Sequence, residues 1–155
     1  MPPARVKRTR KGEYLLRLTA NERDVIRTLP ETLREALAGD PQDPALRRLF
    51  PAAYPDDPAR SQEFDELVRD DLLSERLSAV ETMERTLDAQ RVGEDELLAW
   101  LSAINDLRLV LGTRIGVTEE MTFSDLAPDD PRVPSFALYS FLGVLEEDVV
   151  GALSR

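Results

Sequence analysis

Proline partitions this chain. Five of the eleven prolines fall between Pro41 and Pro58 and three between Pro128 and Pro134, while none lies between Ala59 and Ala127. A proline inside a helix removes a hydrogen bond and clashes with the preceding turn, so long helices belong in the proline-free stretch and after Pro134. The pattern predicts a helix from Ser61 to about Ala89, a break at Val92-Gly93, and a second helix from Glu94 to Ile115. Joined by so short a turn, the two form an antiparallel αα-hairpin at the centre of the fold. Beyond Pro134, Leu138, Leu142, Leu145, Val149 and Leu153 form the apolar stripe of a last helix.

Ahead of the hairpin the elements are shorter. Lys11-Gly12 is a turn signal between two segments of strand composition, which predicts a small β-hairpin over residues 1–18. Thr19-Ala-Asn-Glu22 matches a capping box, followed by Ile26, Leu29, Leu33 and Leu37 at helical spacing. Pro30 interrupts that run, so two helical pieces or a kink should meet near Thr28, and Gly39 suits the end of the second piece. Asp43-Pro44 opens a further turn or two of helix. The expected object is one mainly α domain over 1–155. It comprises a β-hairpin arm at 1–18, short helices and a proline-rich loop at 19–58, the αα-hairpin at 59–117 and a carboxy-terminal helix at 134–153.

Two zeros restrict the chemistry. The chain has no cysteine and no histidine, which removes disulfides, thiolate nucleophiles, zinc sites built on those ligands and the Ser-His-Asp triad. The acidic clusters Asp70-Asp71, Glu94-Asp95-Glu96, Glu119-Glu120 and Glu146-Glu147-Asp148 do not replace them. Neighbouring helical residues diverge by about 100°, and acids in a first turn are explained by the helix dipole. No glycine-rich phosphate loop is present. No metal, cofactor or catalytic residue is therefore nominated, and the expectation is a protein without enzymatic activity. The apolar stretch from Phe136 to Leu145 is too short to cross a bilayer, and no secretory signal is evident. The expected location is the cytoplasm, away from membranes.

Charge is unevenly spread. Thirty acids against twenty bases give a net charge of -10, yet Arg5, Lys7, Arg8, Arg10 and Lys11 precede the first acid, Glu13, leaving residues 12–155 at -15. The basic arm could touch phosphates, but the acidic body opposes such an approach, so nucleic acid is disfavoured as a partner. Within the helix from Glu94, Arg108 sits in the stripe made by Leu97, Leu101, Ile104, Leu111 and Ile115, with Asn105 beside the same face. Arg76 is placed similarly between Leu72 and Val80. A guanidinium on an apolar face must find a carboxylate, carbonyls or a ligand. An ion pair fixing helix register is the weightier reading, and a pocket for an anionic ligand, or a hydrolytic site around Arg108, is the other.

Three blocks carry a resemblance: Asp43 to Tyr54, Glu63 to Leu67, and above all Ala99 to Glu119, with its Ile-Asn-Asp-Leu-Arg-Leu-Val-Leu-Gly-Thr-Arg core. Together they resemble an actinobacterial family of small helical proteins of unknown function, associated with an oxidative-stress regulator. The resemblance implies a helical scaffold. Some members are similar to regulators that sense oxidants through a cysteine pair and act on transcription through a sigma-factor partner. This chain lacks the cysteines, so the scaffold carries over and the thiol switch does not. Oxidant sensing would have to rest on Met83 or Met121. The resulting expectation is a regulatory or protein-interaction module with an unidentified protein partner. Arg47, Arg48, Phe50 and Tyr54 are the candidate interface, and self-association as a homodimer is open.

Overall fold

A computed structural model describes residues 3–40, 43–50, 57–116 and 126–155, with the side chains of 58 and 61–67 left out. Tyr54 and Met121, both named above, lie outside the described residues.

The amino-terminal strands, β1 (Val6–Arg8) and β2 (Tyr14–Leu16), pair antiparallel around Gly12, whose positive φ of 83° suits the turn. An isolated hairpin would be marginal in water, and here a third strand supports it. The connection between the two long helices is itself extended, β3 (Arg91–Val92), and pairs antiparallel with β2 through Tyr14 and Leu15. What the sequence presents as a simple break at Val92-Gly93 therefore completes the sheet.

Helix α1 (Ala20–Arg27) opens with the capping box of Thr19 and Glu22, each satisfying the other's backbone N–H. Thr28 separates it from α2 (Leu29–Leu37), where Pro30 occupies the tolerated first turn. Asp43 caps the short α3 (Pro44–Leu49) by accepting from the Ala45 N–H at 2.8 Å. The first long helix, α4 (Pro58–Arg85), starts before Ser61 because Asp57 caps it and Pro58 suits its first turn. It also stops short of Ala89, since the chain must turn there to enter β3. Helix α5 (Glu94–Ile115) ends on Gly116 in the left-handed conformation, and α6 (Val133–Leu153) closes the structure.

Helix α5 is the centre, packing against α4, α6, α3 and α2. Besides the stripe read from the sequence it buries a second one, Trp100, Ala103, Leu107 and Val110. It therefore presents apolar surface to neighbours on both sides. A single buried cluster draws side chains from every strand and helix, and a smaller one joins Ile115, Leu126 and Phe136. Among the described residues, no helix is long and apolar enough to cross a membrane.

Candidate functional site

The arginine on the apolar face of α5 is met by α6. Arg108 donates through Nη1 to Glu146 Oε2 at 2.6 Å, and its guanidinium lies over the Tyr139 ring, 4.7 Å from the centroid. Two glycines make room. A Cβ on Gly143 would stand 3.3 Å from Arg108 Nη2, and one on Gly112 would stand 3.2 Å from Tyr139 Cε2. Each helix thus offers a glycine to the large side chain of the other. The Arg108 side chain is 31% exposed and Glu146 18%, so the pair sits at the margin of the core. Arg108 Nε is buried without a hydrogen-bond partner among the described residues. Asn105, expected beside this arginine, is exposed instead, because α5 turns that side to solvent.

The neighbouring position, Asp106, is the buried polar residue of α5, its side chain only 2% exposed. Its Oδ1 accepts from Arg76 Nη1 on α4, while Arg76 Nη2 donates to the Leu49 carbonyl at 2.9 Å. One guanidinium therefore joins α4 to α5 and also caps the carboxy-terminal, partly negative end of α3. Burial raises the Asp106 carboxyl above its ordinary pKa, and the hydrogen bond and charge of Arg76 offset this only in part. A signal for Asp106 was present in the sequence: it adjoins the second stripe, 103, 107 and 110, whereas only the first stripe directed attention to Arg108. The two arginines thus serve separate ion pairs, on opposite flanks of α5.

Arg47 and Arg48 are exposed on α3. Phe50 is half-buried and lies beneath two guanidinium groups, those of Arg69 at 4.7 Å and Arg76 at 5.4 Å. Part of this candidate interface thus packs against α4.

The basic arm divides into two sets. Arg5 Nε donates to Glu22 Oε2 at 2.5 Å, its backbone N–H donates to Asp148 Oδ2 at 2.9 Å, and its guanidinium lies over Phe141. Burial of Glu22 is outweighed by its hydrogen bonds with Thr19 and Arg5 and by the charge of Arg5, which leave its carboxyl below the ordinary value. Arg8 donates to the Arg155 carbonyl. Lys7, Arg10 and Lys11 are exposed.

Sequence reasoning passed over Arg23, whose guanidinium reaches the carbonyls of Leu16, Leu87 and Ala89 and so ties α1 to the sheet and the end of α4. It also passed over an apolar groove of about 370 Å³ between α1 and α6, walled by Val25, Pro134, Leu138 and Phe141. Among the described residues, no group of three acidic side chains is placed to hold a metal ion.

Among curated proteins, the chain is 31% identical to the putative oxidative stress regulator AosR of Mycobacterium leprae (strain TN), across 86% of this chain and 71% of that protein. It is 30% identical to the oxidative stress regulator AosR of Mycobacterium bovis, across 71% of this chain and 58% of that protein, with the same figures for AosR of Mycobacterium tuberculosis (strain H37Rv). No solved structure matches it. The blocks of α3, α4 and α5 that suggested a small helical family lie within one family model, described as a domain of unknown function (DUF2017), which matches residues 2–153, and this chain belongs to that family.

Proposed function

We propose that this protein is a non-enzymatic regulatory module that works by binding another protein. The observation that carries the reading is its similarity, across 86% of the chain, to a protein named as a putative oxidative stress regulator. The chemistry inside the fold agrees with it. The two charged groups that the sequence placed on apolar faces, Arg76 and Arg108, are each engaged by a carboxylate on a neighbouring helix, as fasteners between helices are.

Oxidant sensing by thiol chemistry is closed to these 155 residues, which contain no cysteine. Met83 offers no ready substitute, because at 1% exposure it is packed in the core away from dissolved oxidants. Regulation in this reading passes through surfaces and partner availability.

Affinity capture of the tagged protein from its native cells, with mass spectrometry of what is retained, tests the proposal. A partner enriched specifically over an unrelated acidic helical bait is the expected result. Retention of no specific partner, with wild type and Arg48→Ala alike, would sink it.

A further inference from the structure

The small sheet has one face on the helices and one open to water. Val6, Tyr14, Leu16 and Val92 are buried. Strand alternation puts Lys7, Leu15 and Arg91 on the other face, and the pairing register lines them up directly across the three strands. Lys7 and Arg91 are exposed and Leu15 is half-buried between them. Arg17, two residues beyond Leu15, falls on the same side, and the turn adds Arg10 and Lys11, all exposed. Among the described residues, the acid within ion-pair distance of this row is Glu13, 3.9 Å from Arg91.

Contrast with the helical body gives this face its meaning. There Arg27, Arg34, Arg76, Arg108 and Arg132 each meet a carboxylate at 3.0 Å or closer. Lys7, Arg10, Lys11 and Arg17 have no side-chain hydrogen bond or ion pair among the described residues, in a chain with ten more acids than bases. Like charges gathered on a small sheet repel one another. Elsewhere Arg48, Arg85 and Arg114 are also exposed without such a partner among the described residues, but each stands on a different helix. The sheet instead gathers Lys7, Arg17 and Arg91 on one face around Leu15.

We infer that this open sheet face is a docking surface for an acidic protein segment. The segment would carry two carboxylates about 10 Å apart, the span of two strand spacings from Lys7 to Arg91, flanking an apolar side chain that covers Leu15. A third carboxylate would meet Arg17. Two observations favour a protein segment over nucleic acid. The row of Lys7, Leu15, Arg17 and Arg91 contains no aromatic ring on which a base could stack. Residues 12–155 carry -15, which repels a polyanion extending past the patch but tolerates a short segment confined to it. The inference rests on the protein-interaction reading and names its surface.

The test is an NMR titration of the full chain, labelled with nitrogen-15, at physiological salt. Its probes are a synthetic peptide of repeated Glu-Leu-Asp units, the corresponding Lys-Leu-Lys peptide, and a random-sequence DNA duplex. The acidic peptide should shift the amides of residues 7, 15, 17 and 91, and the triple variant Lys7→Glu, Arg17→Glu, Arg91→Glu should bind it about tenfold more weakly or worse. These exposed substitutions should leave the circular dichroism spectrum unchanged. Unmoved amides at those positions, or equal binding by the triple variant, would overturn the inference. Tighter binding of the duplex at the same residues would replace it with a nucleic-acid surface. Affinity capture separates the two levels of the proposal. If the triple variant retains the same partners as wild type, docking lies elsewhere and the interaction reading stands. If neither retains a partner, the interaction reading fails, while the peptide titration still decides the chemistry of this face.

Discussion

The guanidinium of Arg108 on α5 rests on the ring of Tyr139 on α6, 4.7 Å from its centroid, while Gly112 accepts the ring and Gly143 accepts the guanidinium. The crossing of these helices is thus set by two large side chains and two absent ones. Glu146 completes the arrangement by taking the arginine's charge. The arginine that the sequence offered first as an ion pair fixing helix register, and second as a ligand anchor, is paired in the fold across a helix-to-helix joint.

The joint makes Gly143→Ala context-dependent. Glycine inside a helix costs about 1 kcal/mol relative to alanine, so the substitution should stabilise wherever space permits. In the wild-type background the new methyl would press on Arg108 Nη2 at 3.3 Å, and most of the gain should disappear. In the Arg108→Ala background the gain of about 1 kcal/mol should return. Urea denaturation of the four proteins of this cycle measures the coupling, and simple additivity would contradict the packing described.

Removal of Arg76 leaves the carboxylate of Asp106 buried and unmatched, and also uncaps the Leu49 carbonyl. Because Arg76 is itself 23% exposed, Arg76→Met should cost about 3 kcal/mol, the low end for breaking a buried pair. Replacing both partners, in Arg76→Met with Asp106→Leu, should recover most of that loss. Equal destabilisation by the single and double variants would show that the pair is not the source.

The same carboxyl has a pH signature. Burial holds the Asp106 pKa above its ordinary value despite Arg76, so the folded state binds this proton more tightly than the unfolded state. Its contribution is complete below the unfolded pKa and is lost as pH rises through the higher folded value. Glu84 and Asp88 act in the opposite sense. Hydrogen bonds from Arg34 and Arg27 respectively are the largest influence on them and lower both, so their contribution is lost as pH falls. Asp106→Asn removes only the first effect. The stability of wild type relative to this variant should therefore decline as pH is raised from about 4. A difference independent of pH between acid and neutral solution would contradict the assignment.

Much of the fold was legible because local rules and the global pattern agree. The proline-free stretch, the box at Thr19 and Glu22, the division at Thr28 and the start of α5 at Glu94 all follow from backbone chemistry that acts within a few residues. The third strand was not legible: two residues, Arg91 and Val92, become a strand only because β2 lies beside them. Helix α5 was read as having one apolar face. Trp100, Ala103, Leu107 and Val110 also recur at helical spacing, and that second stripe would have directed attention to Asp106. Which carboxylate answers which arginine depends on how helices cross, and helical spacing alone does not specify it. Arg108 could be flagged, but Glu146, thirty-eight residues away, could not.

Trp100, the chain's one tryptophan, donates through Nε1 to Thr86 Oγ1 at 2.7 Å where α4 ends. Thr86→Val keeps the shape and leaves a buried indole N–H unpaired, which should cost about 1–3 kcal/mol. Indole fluorescence reports on the same group, so its emission in the native variant should change as the hydrogen bond is lost. Wild-type stability with unaltered emission would argue against this bond.

In the proposed reading the ion pairs between helices are structural, and function resides in protein contacts at the surface. The most direct test of this reading is the retention of captured partners by Arg108→Met combined with Glu146→Leu, a pair of apolar replacements that removes both charges together. The expected result is a folded protein that retains the same partners from native cells as wild type. A variant that folds and remains stable yet loses those partners would contradict the reading, and would restore Arg108 as a functional residue.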